Sequence, residues 1–295
     1  MKKRFLITGN KNKPVVSGHL KHFLKWCKLR EIQLCVDEEL QEFFTDVTDT
    51  KFLSFSDAIK QTDIVLSFGG DGTILYTAKR LKEHNLPILG INLGGLGFLA
   101  DINVEEITQA MEYVLHDEYE VEERSVLEIE TQTTEKIVAF NDIIFDKAGF
   151  QRVVELNVYI DDLFIHGYIA DGLIISTPTG STAYNLSAGG PIVVPKTNVK
   201  VITPICPHSL SARPIIVPME SRLKIRVNTE AKSFVCNADG QEYGHFPSGT
   251  EFLISESSQK MNLIKIKGND IYTILRNKLR WGEDFRDKNR WSFNA

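Results

Sequence analysis

The sequence predicts two domains, an α/β domain with a parallel, doubly wound sheet over residues 1–121 and a β-rich domain over 122–270. Up to residue 121, short aliphatic runs alternate with stretches whose apolar residues recur every three to four positions, as strands and helices do in a parallel sheet. From Glu122 the period falls to two, the mark of half-buried strands. Two stretches rich in glycine and hydroxyl groups, Gly69–Thr73 (GGDGT) and Ser176–Pro191 (STPTGSTAYNLSAGGP), each follow a buried strand; the first leads into a helix, and the second contains a helix start near Ala183. Backbone N–H groups are unpaired at such helix starts.

Taken in order, Phe5-Leu6-Ile7 reads as a strand stopped at Gly9-Asn10, and a helix from about Ser17 carries Leu20, Phe23, Leu24 and Cys27 on one face. Ile32–Val36 is a second strand, Ser56–Ile59 a short helix, and Asp63–Phe68 a strong buried strand ending at Gly69. Thr73–Glu83 is helical and Pro87–Leu93 a strand. In open sheets of this kind the ligand lies beyond the carboxyl ends of the strands, where GGDGT falls. Gly95–Ala100 nominally fits G-x-G-x-x-A, but no acidic residue closes a second strand at the distance a dinucleotide fingerprint needs. It reads as a loop of close approach. Val104–Leu115 is an amphipathic helix and Asp117–Glu120 a solvated exit.

In the second half, Val126–Glu130, Lys136–Phe140 and Val154–Ile160 alternate, and Asp161-Asp162 has the chemistry of a hairpin turn. Further strands fall at Ile215–Val217, Leu223–Val227, Ser233–Cys236 and Glu251–Ile254. The basic, aromatic tail over 271–295 suits a helix that packs back on the first domain.

Composition limits the function classes. Hydrophobic residues at 42% and charged residues at 25% are ordinary for a soluble globular protein. A net charge of −5 argues against general nucleic-acid or anionic-membrane binding, so any anion must be held by a local site. The four cysteines, Cys27, Cys35, Cys206 and Cys236, are far apart and form no zinc or disulfide pattern, as in a reducing cytoplasm. The apolar run after Met1–Arg4 is too short for a signal peptide, and no stretch is long enough to span a membrane.

The glycines of GGDGT let a phosphate approach the backbone, and the helix start supplies partial positive charge. Asp71 is either a helix cap or a group that binds a cation or accepts a proton, since a carboxylate beside an anion is otherwise costly. The Walker pattern is absent. Leu173-Ile174-Ile175 is a buried strand that Pro178 and Gly180 break, and Ser181 or Thr182 can cap a helix starting near Ala183. That junction is either an ordinary turn or a seat for a phosphate or for sugar hydroxyls. Asn141-Asp142 is either a turn or an amide and a carboxylate able to grip vicinal hydroxyls. Asp171-Gly172 and Asp239-Gly240-Gln241 read as turns, and His208 has no nucleophile or base beside it.

GGDGT, Phe140-Asn141-Asp142, the long block from Asp171 to Pro191, Thr203–Pro218 (TPICPHSLSARPIIVP) and Asp239-Gly240-Gln241 occur in an order and at distances that resemble the NAD kinases. The resemblance spans Ile64 to Gln241. GGDG alone is shared with diacylglycerol, sphingosine and 6-phosphofructo-kinases, whereas the long second block is specific.

The resemblance implies an α/β domain and a β-sandwich-like domain with the active site between them. It implies transfer of the terminal phosphoryl group of ATP, or of inorganic polyphosphate, to the 2′-hydroxyl of the adenosine ribose of NAD, with a divalent cation, normally magnesium. It makes Asp71 the proton acceptor and lets the dinucleotide approach at Gly72. Asn141 and Asp142 match a pair that holds a ribose, Asp142 standing where many members carry Glu. Asp171 matches a contact to the nicotinamide carboxamide, and Thr182, Ala183, Tyr184 and Ser187 match the segment around adenine and ribose. Arg152 and Gln241 match further dinucleotide contacts. Some bacterial members carry arginine two residues before the position of Asp171, where this chain has Ile169; the choice between NAD and NADH hangs on that departure. A homodimer or homotetramer is implied. A lipid kinase would share GGDGT without the long block, and a dinucleotide sensor would have no need of Asp71.

Overall fold

The computed structural model describes residues 2–11, 16–44, 50–94, 97–100, 102–131, 136–149, 153–266 and 270–280. The chain divides into two compact units, Met1–Glu122 together with the chain from Asn262 onward, and Glu123–Met261.

The first unit opens with β1 (Arg4–Gly9), α1 (Val16–Leu29), β2 (Gln33–Asp37), β3 (Phe52–Leu53), α2 (Phe55–Ala58), β4 (Ile64–Phe68), α3 (Asp71–Leu81) and β5 (Ile88–Asn92). β6 (Ile102–Asn103), α4 (Ile107–Leu115) and β7 (Tyr119–Arg124) follow. The chain later returns through β20 (Met261–Ile266) and α6 (Ile271–Leu279), so a strand as well as the tail helix belongs here. The sheet order is β3-β2-β1-β4-β5-β20-β7, with β6 beside β5, and the pairings from β3 to β20 are parallel. Strands buried on both faces require aliphatic runs; Ile64–Phe68 is buried throughout. Helix α1 seals one side with the face expected, Leu20, Phe23, Leu24 and Cys27 all lying in the core.

The strand order reverses direction between β1 and β4, a topological switch point, which is where ligands sit in such sheets. GGDGT leaves β4 at that point. The expected solvated exit is corrected in part: Tyr119 and Glu120 already belong to β7, an edge position where charged side chains are tolerated.

The second unit contains β8 (Leu127–Glu130), β9 (Ile137–Ala139), β10 (Asp142–Lys147), β11 (Val154–Ile160), β12 (Leu163–Ala170), β13 (Gly172–Ser176) and α5 (Tyr184–Ser187). It continues with β14 (Val199–Ile205), β15 (Ile215–Pro218), β16 (Leu223–Asn228), β17 (Phe234–Ala238), β18 (Gln241–Phe246) and β19 (Thr250–Glu256). Two six-stranded sheets, β15-β14-β13-β10-β17-β18 and β12-β11-β16-β19-β8-β9, share one core. Phe145 of the first meets Phe252 of the second at 4.8 Å between ring centres. This is a β-sandwich. Asp161 and Asp162, at φ 48° and 66°, make the left-handed turn that pairs Ile160 with Leu163.

Period-two alternation decides which side chains remain for a site. In β10, Ile143 and Phe145 enter the sandwich core. Asp142, Ile144 and Asp146 therefore point to the outer face, where Ile144 packs with Ile174 and Ile205. Thr203 reaches Asn185 of α5 on that face, Oγ1 to Oδ1 at 2.6 Å.

Candidate active site

In the first unit, Asp71 is the first residue of α3, not a cap ahead of it. The N-cap is Gly70, and no side chain caps the helix. The Asp71 carboxylate turns instead to the glycine loop: Oδ2 accepts from the Phe98 N–H at 2.9 Å, and Oδ1 from those of Leu99 at 2.9 Å and Ala100 at 3.2 Å. The described part of the loop of close approach, Gly97–Ala100, is thus the cradle of Asp71, while Gly95 and Leu96 lie outside the described residues. A Cβ on Gly97 would fall 2.1 Å from Asp71 Oδ1, so any larger residue there would displace the carboxylate or the loop. An ionised carboxylate offers about four acceptor sites. Three are used, and about one remains on Oδ2. The next residue, Gly72, is exposed and has no neighbour within 4 Å of an added Cβ, so nothing in the fold demands glycine there, while a ligand passing close to the backbone would. Lys278 of α6 stands 4.5 Å from the centre of the Phe98 ring.

In the second unit, Asn141 and Asp142 lie where β9 gives way to β10. The turn is fastened from two sides. Asn141 C=O accepts from the Thr177 N–H at 2.9 Å, and Phe140 C=O from Thr177 Oγ1 at 2.7 Å. On the other side Asp239 accepts from the N–H groups of Phe140, Asn141 and Asp142 at 3.1, 2.7 and 3.3 Å. The Asn141 and Asp142 side chains themselves have no hydrogen-bond partner among the described residues. Asp142 is only 3% exposed. Burial first, and the nearby charge of Asp239 second, push its carboxyl up to about 7. A buried carboxylate without donors is costly, and hydroxyl donors of a ligand would relieve that cost.

The long block proves to be largely its own scaffold. Thr179–Thr182 forms a 3-10 turn and α5 has one turn of helix, without a side-chain cap from Ser181 or Thr182. The expected cap is supplied earlier, by Thr177 Oγ1 accepting from the Gly180 N–H at 3.0 Å. Ser181 is buried and bonds Pro178 C=O and the Val193 N–H. Asn185, also buried, donates to the carbonyls of Ser181 and Pro191, both at 3.1 Å. A Cβ on Gly180 would lie 2.0 Å from the Asn141 carbonyl oxygen. The hydroxyls of Ser176, Thr177, Ser181 and Thr182 are thus spent internally and do not form an open row of donors.

Thr182, Ala183, Tyr184 and Ser187 are all accessible, as are Leu186, Ala188, Gly189 and Pro191 of the same block; Tyr184 is 43% exposed. Burial first, and the field of Asp146, Cys206, Asp171 and Asp142 second, raise the Tyr184 phenol. Asp171 accepts from Lys147 Nζ at 2.6 Å, and that bond raises the lysine. Asp146, on the same face of β10 as Asp142, is raised chiefly by burial. Gln241 opens β18, exposed, just past the Asp239-Gly240 turn. Arg152 lies outside the described residues.

Sequence reasoning reads Gly180 as a strand breaker and Asp239 as a turn residue, without their roles at the site, and passes over Asn185. Asp239 and Gly180 act on the distant Phe140–Asp142 turn, which local spacing does not encode, and Asn185 ties its own block to Thr203 in a way that its residue type does not announce. Among the described residues no group of three or more His, Cys, Asp or Glu side chains is placed to hold a metal ion.

A family model described as the ATP-NAD kinase N-terminal domain matches residues 5–119, and one described as the ATP-NAD kinase C-terminal domain matches residues 140–266. The chain belongs to the NAD kinase family. It is 41% identical over 250 residues to an NAD kinase of Clostridium botulinum (strain Kyoto / Type A2), covering 84% of this chain and 87% of that one. It is 42% identical over 226 residues to an NAD kinase of Moorella thermoacetica, covering 76% and 73%. Among solved structures, a yeast NADH kinase complexed with NADH superposes with a TM-score of 0.87 at 27% identity, over 96% of this chain and 89% of that one. An NAD kinase from Archaeoglobus fulgidus in complex with ATP shares the fold, with a TM-score of 0.73 at 24% identity over 94% and 98%. As a NAD kinase family member, the protein is a phosphotransferase built from the α/β and β-sandwich units of that family.

Proposed function

We propose that the protein transfers the terminal phosphoryl group of ATP to the 2′-hydroxyl of the adenosine ribose of NAD, forming NADP and ADP, with Asp71 as the proton acceptor. The observation that carries this reading is the Asp71 carboxylate at the sheet's switch point, oriented by three N–H bonds and still able to accept on Oδ2. The 2′-oxygen forms a bond to the γ-phosphorus as the bond from that phosphorus to the β-bridging oxygen breaks. Asp71 receives the hydroxyl proton, and ADP leaves with the bonding electrons. Phosphoryl transfer depends on positioning and charge stabilisation more than on covalent chemistry, so a carboxylate pre-oriented by backbone donors suits it.

Asn141 and Asp142 are assigned to a ribose, Asp171 to the nicotinamide carboxamide, and Thr182, Ala183, Tyr184 and Ser187 to adenine and its ribose. Arg152 and Gln241 are assigned to further contacts. A divalent cation, magnesium by the resemblance, would be held mainly by the nucleotide phosphates with Asp71 as the nearby carboxylate. Mg²⁺ is commonly bound through phosphates and only one or two carboxylates, so a protein cage is not needed. When bound, it spreads the charge on the phosphate oxygens. We further propose a homodimer or homotetramer. Leu163, Phe164 and Ile165 are exposed on β12, an edge strand that a second copy would cover. Sedimentation velocity reads the state directly. The four unpaired cysteines fit a cytoplasmic location.

The assay that tests the reading is NADP formation by the purified protein, with NAD or NADH as acceptor and ATP or polyphosphate as donor. No phosphorylated dinucleotide in any combination would overturn it.

The titration of Asp142 near 7 gives a pH prediction. The ionised carboxylate can accept from both ribose hydroxyls, so KM for NAD is expected to fall about tenfold from about pH 6 to about pH 8, as the ionised fraction rises from about a tenth to about nine-tenths. Asp142→Ala is expected to raise KM and to flatten that dependence while kcat changes little. The same shift has a stability sign. The folded state keeps the proton that the unfolded chain releases near 4, so stability contributed by protonated Asp142 is lost as pH rises from about 4 to about 7.

Tyr184→Ala is expected to raise KM for NAD by the equivalent of about 1–3 kcal/mol, as loss of a base-stacking ring does. Because the ring is 43% exposed, the melting temperature should stay close to that of the parent. A melting curve beside an NAD titration separates this from a packing role.

A further inference from the structure

Asp239 begins the two-residue turn between β17 and β18. Asp239 and Gly240 both have positive φ, 50° and 71°, and Ala238 pairs with Gln241 across them. Asn or Asp satisfies such a turn equally well at the first position, so turn chemistry alone does not explain a carboxylate. Its two oxygens reach across to Phe140, Asn141 and Asp142, a segment about a hundred residues earlier, and gather three consecutive N–H groups. The Asp239 N–H closes the arrangement by donating to Asp142 C=O at 3.0 Å. The carbonyls of Phe140 and Asn141 are already committed to Thr177 on the opposite side. With both sides tied, the Asn141 and Asp142 side chains are the groups left to face a ligand.

We infer that Asp239 is a positioning residue for the dinucleotide, holding the Phe140–Asp142 turn so that the Asn141 amide and the Asp142 carboxylate meet the ribose. The inference rests on the reading of Asn141 and Asp142 as a ribose grip. It parallels the use of Phe98, Leu99 and Ala100 around Asp71, with the roles exchanged: there three N–H groups orient a reacting carboxylate, and here a carboxylate orients the backbone of a binding turn. The charge of Asp239 also bears on Asp142, second to burial. Among the described residues, Tyr184 from α5 also lies in the field of Asp142, and Asp146 lies farther along the same face of β10.

Asp239→Asn tests this, because it keeps the turn preference but has one acceptor oxygen and turns an NH₂ group toward a backbone N–H. With NAD as the varied substrate, KM is expected to rise about tenfold or more, with kcat and KM for ATP within about twofold. In an Asn141→Ala background the same substitution should add less than about threefold, since groups that act as one unit are not additive. The pH dependence of KM for NAD should move to lower pH, as the charge that helps hold Asp142 protonated is gone. Asp239→Ser, with a single hydroxyl to accept from these N–H groups, should give an intermediate KM and serves if Asp239→Asn folds poorly. An unchanged KM for NAD in folded Asp239→Asn would overturn the inference, as would equal losses in both backgrounds with kcat falling alongside. If Asn141→Ala and Asp142→Ala both leave KM for NAD unchanged, the ribose grip itself fails and the role of Asp239 fails with it.

Discussion

Asp71→Asn is expected to lower kcat for NADP formation by roughly two to four orders of magnitude, the usual loss when a general base is removed. Asn matches Asp in size and is nearly as good at a helix cap, so a capping residue would leave activity intact. The structure sharpens the contrast, because Gly70 occupies the cap position and the carboxylate points to the Phe98–Ala100 loop. In the variant one amide oxygen can still take two of the three N–H bonds, while an NH₂ group faces the third. Leaving one such donor unmet costs about 1–3 kcal/mol, which a melting curve will register as a modest shift. NAD affinity should change far less than kcat. A magnesium titration of the variant separates loss of a base from loss of a cation ligand, since only the second is rescued by excess metal.

Gly97→Ala is expected to reach the same carboxylate without touching it chemically. The new Cβ would sit 2.1 Å from Asp71 Oδ1, closer than any real contact, so the side chain or the loop must move. Misplacing a reacting group by about 1 Å can cost about a hundredfold in rate, and a kcat loss of that order is expected with KM for NAD little changed. Gly97 has no left-handed backbone angle, so alanine there is not strained by its own conformation. Gly94→Ala is the comparison: a Cβ there meets nothing within 4 Å, and near-parent kinetics are expected. Equal kinetics for the two variants would show that the loop does not set the position of Asp71.

Local patterns in the sequence carried most of the architecture. Asp63–Phe68 reads as a strong buried strand, as β4 is, and the alternation in Val154–Ile160 with the Asp161-Asp162 turn anticipates the β11–β12 hairpin. Tyr119–Arg124 was harder, because an edge strand can be mostly charged and so resembles a loop. At the site, Asp71 and the Asn141-Asp142 pair stood out by residue type within glycine-rich or turn surroundings. The internal bonding of Thr177, Ser181 and Asn185 did not, since a hydroxyl spent on the backbone and one offered to a ligand read alike in a sequence. Asp239 was legible only as a turn; its contact with Phe140–Asp142 joins strands β9, β10 and β17, and no local pattern encodes that pairing.

The central claim is most directly tested by the position of the phosphate in the product. The purified protein is incubated with NAD, ATP and magnesium, and the dinucleotide product is examined by phosphorus NMR and mass spectrometry. The predicted result is a single added phosphate on the 2′-oxygen of the adenosine ribose, with one ADP formed for each NADP. A phosphate on any other oxygen of the dinucleotide, or ADP released without NADP, would contradict the account.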